Sequence, residues 1–289
     1  MTSSHRQGND LRRIAYQGEP GANSHIVCVE NYPEWEAVAC ASFEDVFAAV
    51  ESGDADLAMI PIDNSVAGRV ADIHHLLPAS DLHIIDEHFL RIRFHLMGVL
   101  GSTRDTIKTV HSHIHALGQC RKIISANNWV PVISGDTAGA AREIAEAHDV
   151  TQAAIAPPLA GEIYGLDVIA RDIEDEDHNT TRFVVLSRDA VQAPPADRPM
   201  VTTFVFNVRN LPAALYKALG GFATNGVNMT KLESYMVGGH FTATQFLAEV
   251  DGHPDDVGLA RALEELRFFT TDVKILGVYP AHGFRASVG

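Results

Sequence analysis

A chain of 289 residues, 46% hydrophobic and 20% charged, is long enough for two or three domains with buried cores. Its net charge of −15 argues against nucleic acid or an anionic membrane surface as partner. It has no apolar run of the roughly 18 residues a membrane span needs, and the start MTSSHRQGNDLRR predicts no secretory signal.

Three scattered cysteines, Cys28, Cys40 and Cys120, with no CxxC pair, fit reduced thiols in a cytoplasmic protein. RIAYQG (13–18) reads as a strand and NSHIVCVENY (23–32) as a helix. AVACA (37–41) is a short strand. Ser42 then opens SFEDVFAAVESG with Asp45 at capping-box spacing. ADLAMIPI (55–62) is apolar on both faces, as a buried parallel strand is. Asn64 or Ser65 is placed to cap a helix over VAGRVADIHHLL (66–77).

The rhythm repeats. LHIIDEHFLRIRFHLMGVL (82–100) holds long strands, TVHSH (109–113) is extended, and ALGQCRKIISAN (116–127) has helical periodicity. VPVISG (130–135) is a strand, and DTAGAAREIAEAH is a helix capped by Asp136 or Thr137. AAIAP (153–157), DVIARDI (167–173) and TRFVVLSR (181–188) are strands, the last preceded by an acidic block, EDED, that reads as a solvated turn. The alternation predicts two α/β lobes over 13–188, which bind ligands at the carboxyl ends of their strands. Asn64 and Ser65, Ser134 to Thr137, and Thr181 fall at such ends.

DAVQAPPADRP (189–199) is a proline-rich spacer. After it come a strand (MVTTFVFNVR), a helix (LPAALYKALGGFATN) and a strand (VNMTKLESYMV). GGH makes a hairpin turn to a strand (FTATQFLAEVDG), then a helix (DDVGLARALEELRFF) and a last strand (DVKILGVYP). That order is the ferredoxin-like βαββαβ unit.

Six blocks in this order and spacing carry a family resemblance. They are IAYQGEPGANSH (14–25), IPIDNSVAGRV (60–70), VHSHIHALGQC (110–120), GDTAGAA (135–141), NTTRFVVLS (179–187) and LPAALYKALGGFATNGVNMTKLES (211–234). Over about residues 12–280 the chain resembles the bacterial prephenate dehydratases with a C-terminal ACT regulatory domain. The resemblance implies an α/β fold in three parts: a two-lobed, periplasmic-binding-protein-like catalytic region (12–188), a linker (189–199) and a ferredoxin-like ACT domain (200–281). It also implies a cytoplasmic lyase that converts prephenate to phenylpyruvate, losing water and carbon dioxide. Such an enzyme uses no cofactor and no metal, takes L-phenylalanine as feedback effector, and assembles as a homodimer or homotetramer.

By the same resemblance the family's threonine–arginine–phenylalanine motif is Thr181, Arg182 and Phe183. Thr181 is expected to donate a proton or hydrogen bond to the departing hydroxyl, a role that rests on position because threonine is a poor acid. The bland reading is a threonine favoured by strand propensity. Strand alternation puts Thr181 and Phe183 on one face, with Phe183 beside the substrate ring, and Arg182 on the other. There Arg182 supports the strand end, binds a carboxylate, or pairs with the acidic turn. Asn64, Ser65, Ser134 and Thr137 bind substrate or cap helices. His111, His113 and His115 alternate as a facial metal site would on a strand, but the family uses no metal. His113 with Gln119 is expected to line the cleft; Ile114 and His115 stand where the family has proline and glutamine.

The phenylalanine site is expected at Leu211, Ala213, Leu215, Asn228, Met229, Leu232, Glu233 and Ser234. Ala213-Ala214-Leu215 replaces the family's Gly-Ala-Leu, and Glu233-Ser234-Tyr235-Met236 replaces Glu-Ser-Arg-Pro, which weakens the case for tight inhibition. A dimerisation module alone is the other reading. Arogenate in place of prephenate stays open, and Glu19 or Asp136 is the acid to hold its amine. A non-catalytic amino-acid sensor is the alternative of a different class.

Overall fold

A computed structural model describes residues 11–70, 73–190, 198–236 and 243–288. In chain order the elements are β1 (Arg13–Gln17), α1 (Asn23–Asn31), β2 (Glu36–Cys40), α2 (Phe43–Ser52), β3 (Leu57–Asn64), β4 (Gly68–Arg69), α3 (Ile73–Ala79) and β5 (His83–Arg91). Then come β6 (His95–Gly98), β7 (Thr109–Ser112), α4 (Ile114–Gln119), α5 (Arg121–Ala126), β8 (Val130–Ile133), α6 (Thr137–Ala147), β9 (Gln152–Ala156), α7 (Pro158–Tyr164), β10 (Asp167–Ala170) and β11 (Thr180–Ser187). The remainder is β12 (Met200–Val208), α8 (Ala214–Thr224), β13 (Met229–Met236), β14 (Ala243–Asp251), α9 (Val257–Phe269), β15 (Thr270–Pro280) and α10 (Phe284–Val288). The spacer residues 191–197 and the expected GGH turn lie outside the described residues. Among the described residues no helix is long and apolar enough to cross a membrane.

The chain forms two compact units, Met1–Val70 with Leu90–Arg182, and Ala71–Phe89 with Phe183–Gly289. The first holds two α/β lobes. One has β1 between β2 and β3, all parallel. The other is the sheet β10-β6-β9-β7-β8. A core of Leu96, Val110, Leu117, Ile124, Trp129 and Ile155 fills one side of that sheet, and Met97, Ala140, Ile144, Ala154 and Ala160 fill another. Burying each large apolar side chain contributes roughly 1.5–3 kcal/mol.

In the second unit β13-β14-β12-β15 is the ferredoxin-like order, antiparallel throughout, with α8 and α9 packed through Phe204, Phe206, Phe222, Leu259 and Leu263. β5 extends this sheet beside β15, where Gly277 opposes Ile84. A Cβ on Gly277 would run into the Ile84 carbonyl oxygen. Gly277→Ala is therefore expected to cost about 1–3 kcal/mol by overpacking, read as a lowered midpoint in urea; an unchanged midpoint would refute the close approach.

Local signals held where the whole motif is local. Ser42 and Asp45 form a reciprocal capping box on α2, with Asp45 N–H to Ser42 Oγ at 3.1 Å and Ser42 N–H to Asp45 Oδ2 at 3.1 Å. Two expectations are corrected. The helix expected over 66–77 does not start at Asn64 and is present only in its later part, as α3 from Ile73: Asn64 Oδ1 instead accepts from Val66 N–H (3.0 Å) and Ala67 N–H (2.7 Å), Gly68 takes φ +82°, and β4 folds back antiparallel on β3. The helix expected over 116–127 breaks at Cys120 (φ −124°, ψ 27°) into α4 and α5. Asp175 drives that break by accepting the first N–H groups of α5, Arg121 at 3.0 Å and Lys122 at 3.1 Å. The acidic block is thus not merely a solvated turn; Glu174 also accepts from Phe94 N–H at 3.0 Å. Helices α7 and α10 were not expected, although Pro158 in the first turn of α7 and Gly165 beyond its end are usual helix bounds.

Candidate active site

β11 begins beside the carboxyl end of β3. Ser65 N–H donates to Thr180 O and Thr180 N–H donates to Ser65 Oγ, both at 2.9 Å. This clamp places Thr181, 9% exposed, against Asn64. Asn64 Nδ2 donates to Thr181 Oγ1 at 2.9 Å and to Asn179 Oδ1 at 2.7 Å. Both lone-pair directions of Asn64 Oδ1 are taken by the turn, so all four of its hydrogen-bonding positions are used and the amide cannot rotate without loss. Asn179, 2% exposed, donates in turn to Gln119 Oε1 at 2.7 Å. A chain of three side-chain amides therefore runs from α4 of one lobe to the threonine hydroxyl of the other. Because Oγ1 accepts from Asn64, its own proton is the one left to give, and among the described residues no acceptor takes it.

Arg182 is 7% exposed and its guanidinium lies 3.5 Å from Asp63 on β3. It buttresses the strand end. Phe183 is 1% exposed and presents no open ring face. Ser65 is also spent on structure, since its hydroxyl donates to His178 O at 2.9 Å while accepting from Thr180. Ser134 Oγ donates to Glu143 at 3.1 Å.

On the facing lobe His113 is not on a strand. It caps α4, its Nδ1 accepting from His115 N–H at 3.4 Å, and its ring lies 5.1 Å from that of His115. Burial, with His115 alongside, holds His113 below the usual histidine range, so it is neutral near pH 7. His111 on β7 instead meets Thr109 Oγ1 at 3.0 Å. The strand geometry that would make the three histidines one metal face is absent. Among the described residues no cluster of three or more His, Cys, Asp or Glu could hold a metal ion. Asp136, rather than Thr137, caps α6 by accepting from Gly139 N–H at 2.6 Å, which leaves the Thr137 hydroxyl at the start of the helix.

The GEPG turn after β1 joins the lobes. Gly21 (φ +95°) packs so closely on Ala160 of α7 that a side chain has no room. Glu19 receives two hydrogen bonds from Arg142 of α6, at 2.7 and 3.0 Å. Hydrogen bonding to Arg142 holds the Glu19 carboxyl below the usual range. Such a group stabilises the fold above its unfolded pKa, and the contribution is lost as pH falls through the folded value. Glu19→Gln is expected to cost about 1 kcal/mol at neutral pH, the pair being partly exposed. The gap to the parent chain should close in melts taken below about pH 4. A gap that stays constant with pH would show that the charge is not what matters.

In the second unit, Leu211 is 61% exposed and Ala213 takes φ +62° immediately before α8, the conformation glycine adopts without strain. Leu215 is half-buried on α8. Asn228 donates to Asp251 at 2.7 Å. A bulge between Met229 and Lys231 shifts the alternation of β13. Met229, Leu232 and Ser234 oppose Val250, Ala248 and Phe246; Met229 packs against the helix-side core, while Leu232 and Ser234 are exposed. Glu233 is held by Tyr235 at 2.6 Å and Lys231 at 3.3 Å.

An apolar groove of about 970 Å³ opens beside Gln119, floored by Leu117, Ile124 and Trp129. Asn179 was not among the expected site residues, although it opens the NTTRFVVLS block and, two residues before Thr181, lies on the same side of an extended segment.

The prephenate dehydratase family model matches residues 14–191. A bifunctional N-acyl-homoserine lactone acylase/prephenate dehydratase of Komagataeibacter europaeus is 50% identical over 277 residues, covering 96% of this chain and 99% of that one. Arogenate dehydratase/prephenate dehydratase 1 of Arabidopsis thaliana is 35% identical over 94% of this chain and 73% of its own length. Among solved structures, a prephenate dehydratase from Arthrobacter aurescens in complex with L-Phe superposes with a TM-score of 0.85 at 30% identity, covering 93% of this chain and 90% of that one. The matched span contains the whole amide chain from Gln119 to Thr181, and the protein belongs to the prephenate dehydratase family.

Proposed function

We propose that the chain is a cytoplasmic lyase that converts prephenate to phenylpyruvate. The observation that carries this reading is the 2.9 Å hydrogen bond from a fully committed Asn64 amide into Thr181 Oγ1. In the reaction the bond to the ring carboxylate breaks and carbon dioxide leaves. The electron pair enters the ring, and the ring C–O bond breaks with the hydroxyl departing as water. Thr181 donates a hydrogen bond and then its proton to that oxygen and takes a proton back from solvent, and Asn64, Asn179 and Arg182–Asp63 hold Thr181 in place. His113, Gln119 and Thr137 are the contacts offered by the facing lobe. Pre-organised donors of this kind act through position more than acidity.

Glu19 is paired with Arg142 through both oxygens, whereas Asp136 caps α6 through Oδ1 and keeps Oδ2 as an acceptor, so arogenate stays the alternative substrate. Feedback by phenylalanine through residues 200–281, and a homodimer or homotetramer, remain part of the reading, supported by the relative that binds L-Phe. The test is to supply purified protein with prephenate, then arogenate, and to follow phenylpyruvate and phenylalanine, each with and without added phenylalanine. Turnover of neither substrate would leave the sensor reading in its place.

A second reading, hydrolysis of N-acyl-homoserine lactones, is favoured by one observation, the apolar groove beside Gln119, which a small dianion does not need. Release of free fatty acid from such an amide is its test.

A further inference from the structure

The groove beside Gln119 is lined by Val66 and Ala67 of the turn after β3, by α4 and α5, and by Pro131 and Ile133 of β8. Its floor is buried, but its rim is not: Val66 is 43% exposed, Ile114 51% and Ile133 65%. Three large aliphatic side chains held around one concavity are costly in water and mark a site that something apolar covers. The volume, about 970 Å³, is far more than one aromatic ring fills.

One cation stands in this lining. Arg121 spends its Nε–H on Gly118 O at 2.9 Å, which folds its guanidinium back along α4. Among the described residues no carboxylate pairs with it. A guanidinium without an acid, facing an aliphatic groove, matches a ligand that is anionic at one end and apolar along its length.

We propose that this groove is a binding site for apolar carboxylates of the medium-chain fatty-acid class, with Arg121 holding the head group and Val66, Ile114, Leu117, Trp129 and Ile133 the tail. The groove is the one the acyl-lactone reading also uses, and a free fatty acid is a product of that reaction; the two are distinguishable because Arg121 selects a carboxylate over a neutral acyl amide, so decanoate binds whether or not an acyl-homoserine lactone is hydrolysed.

The experiment is calorimetric titration of the full chain with decanoate below its micelle concentration, with Trp129 fluorescence followed in parallel. Decanoate should bind saturably, and decanoamide at least 10-fold more weakly. Arg121→Ala should weaken decanoate at least 10-fold. So should Ile133→Glu, which places a like charge on an exposed strand residue where folding is not at stake. Circular dichroism of both variants should match the parent chain. No saturable binding, equal affinity for decanoamide, or an Arg121→Ala variant that binds as the parent does would each overturn the proposal. Phenylpyruvate binding with the same Arg121 dependence, with no decanoate binding, would overturn the aliphatic class and assign the groove to an aryl acid.

Discussion

On the proposed function, Thr181→Ala should lower prephenate turnover by about 10²–10³-fold while KM changes little, the loss expected when one positioned donor to the departing oxygen is removed. The side chain lost is small and lies at a strand end. Its removal leaves one Asn64 N–H without its acceptor, a cost of about 1–3 kcal/mol in stability at most. Thr181→Ser keeps the hydroxyl and should retain turnover to within about an order of magnitude, the residual loss reflecting freer rotation of a side chain without the β-methyl. The serine variant separates chemistry from folding, because both substitutions disturb packing and only one removes the donor. Steady-state rates on both, beside matched circular dichroism spectra, decide it. Near-parental turnover by the alanine variant would end the donor assignment.

Arg285→Ala should give the largest stability loss in the molecule. Arg285 of α10 places Nε 2.6 Å from Glu87 Oε1 on β5 and its terminal nitrogen 3.1 Å from Glu249 Oε2 on β14. Those carboxylates are 0% and 1% exposed. Two buried anions share one guanidinium in a triad whose desolvation is already spent, so its removal takes a cation from both carboxylates at once. Breaking such a set costs about 3–5 kcal/mol. For a unit of this size that is a fall of roughly 10 °C or more in the melting of residues 71–89 and 183–289. Arg285→Lys keeps the charge but not the planar fork, and should recover only part. The double substitution Glu87→Gln with Glu249→Gln, added to Arg285→Ala, removes the stranded charge and should recover more. Scanning calorimetry reads all four chains, and an Arg285→Ala melt within a degree of the parent would refute the account.

How much of this was legible beforehand varied with the distance between partners. The capping box of Ser42 and Asp45 needs only three residues of chain, and it is present as read. Asn64 shows the failure of the same kind of evidence. An asparagine before an apolar run caps a helix or closes a turn with the same hydrogen bonds. Gly68 and the pairing of β4 with β3 chose the turn. The Met229–Lys231 bulge likewise redistributes an alternation that looked simple.

The amino-acid order alone determined the βαββαβ unit and the α/β lobes, because periodicity and short motifs are properties of neighbouring residues, and the family resemblance singled out Thr181. Only the tertiary structure decided which groups serve Thr181. Asn64 lies 117 residues from it and Gln119 60 residues from Asn179. It likewise decided that Arg182 leans on Asp63, and that Arg121 faces an aliphatic groove. A hydrogen bond or ion pair depends on distance in space to within a few tenths of an ångström, and no spacing along the chain encodes that when the strands that set it are a hundred residues apart.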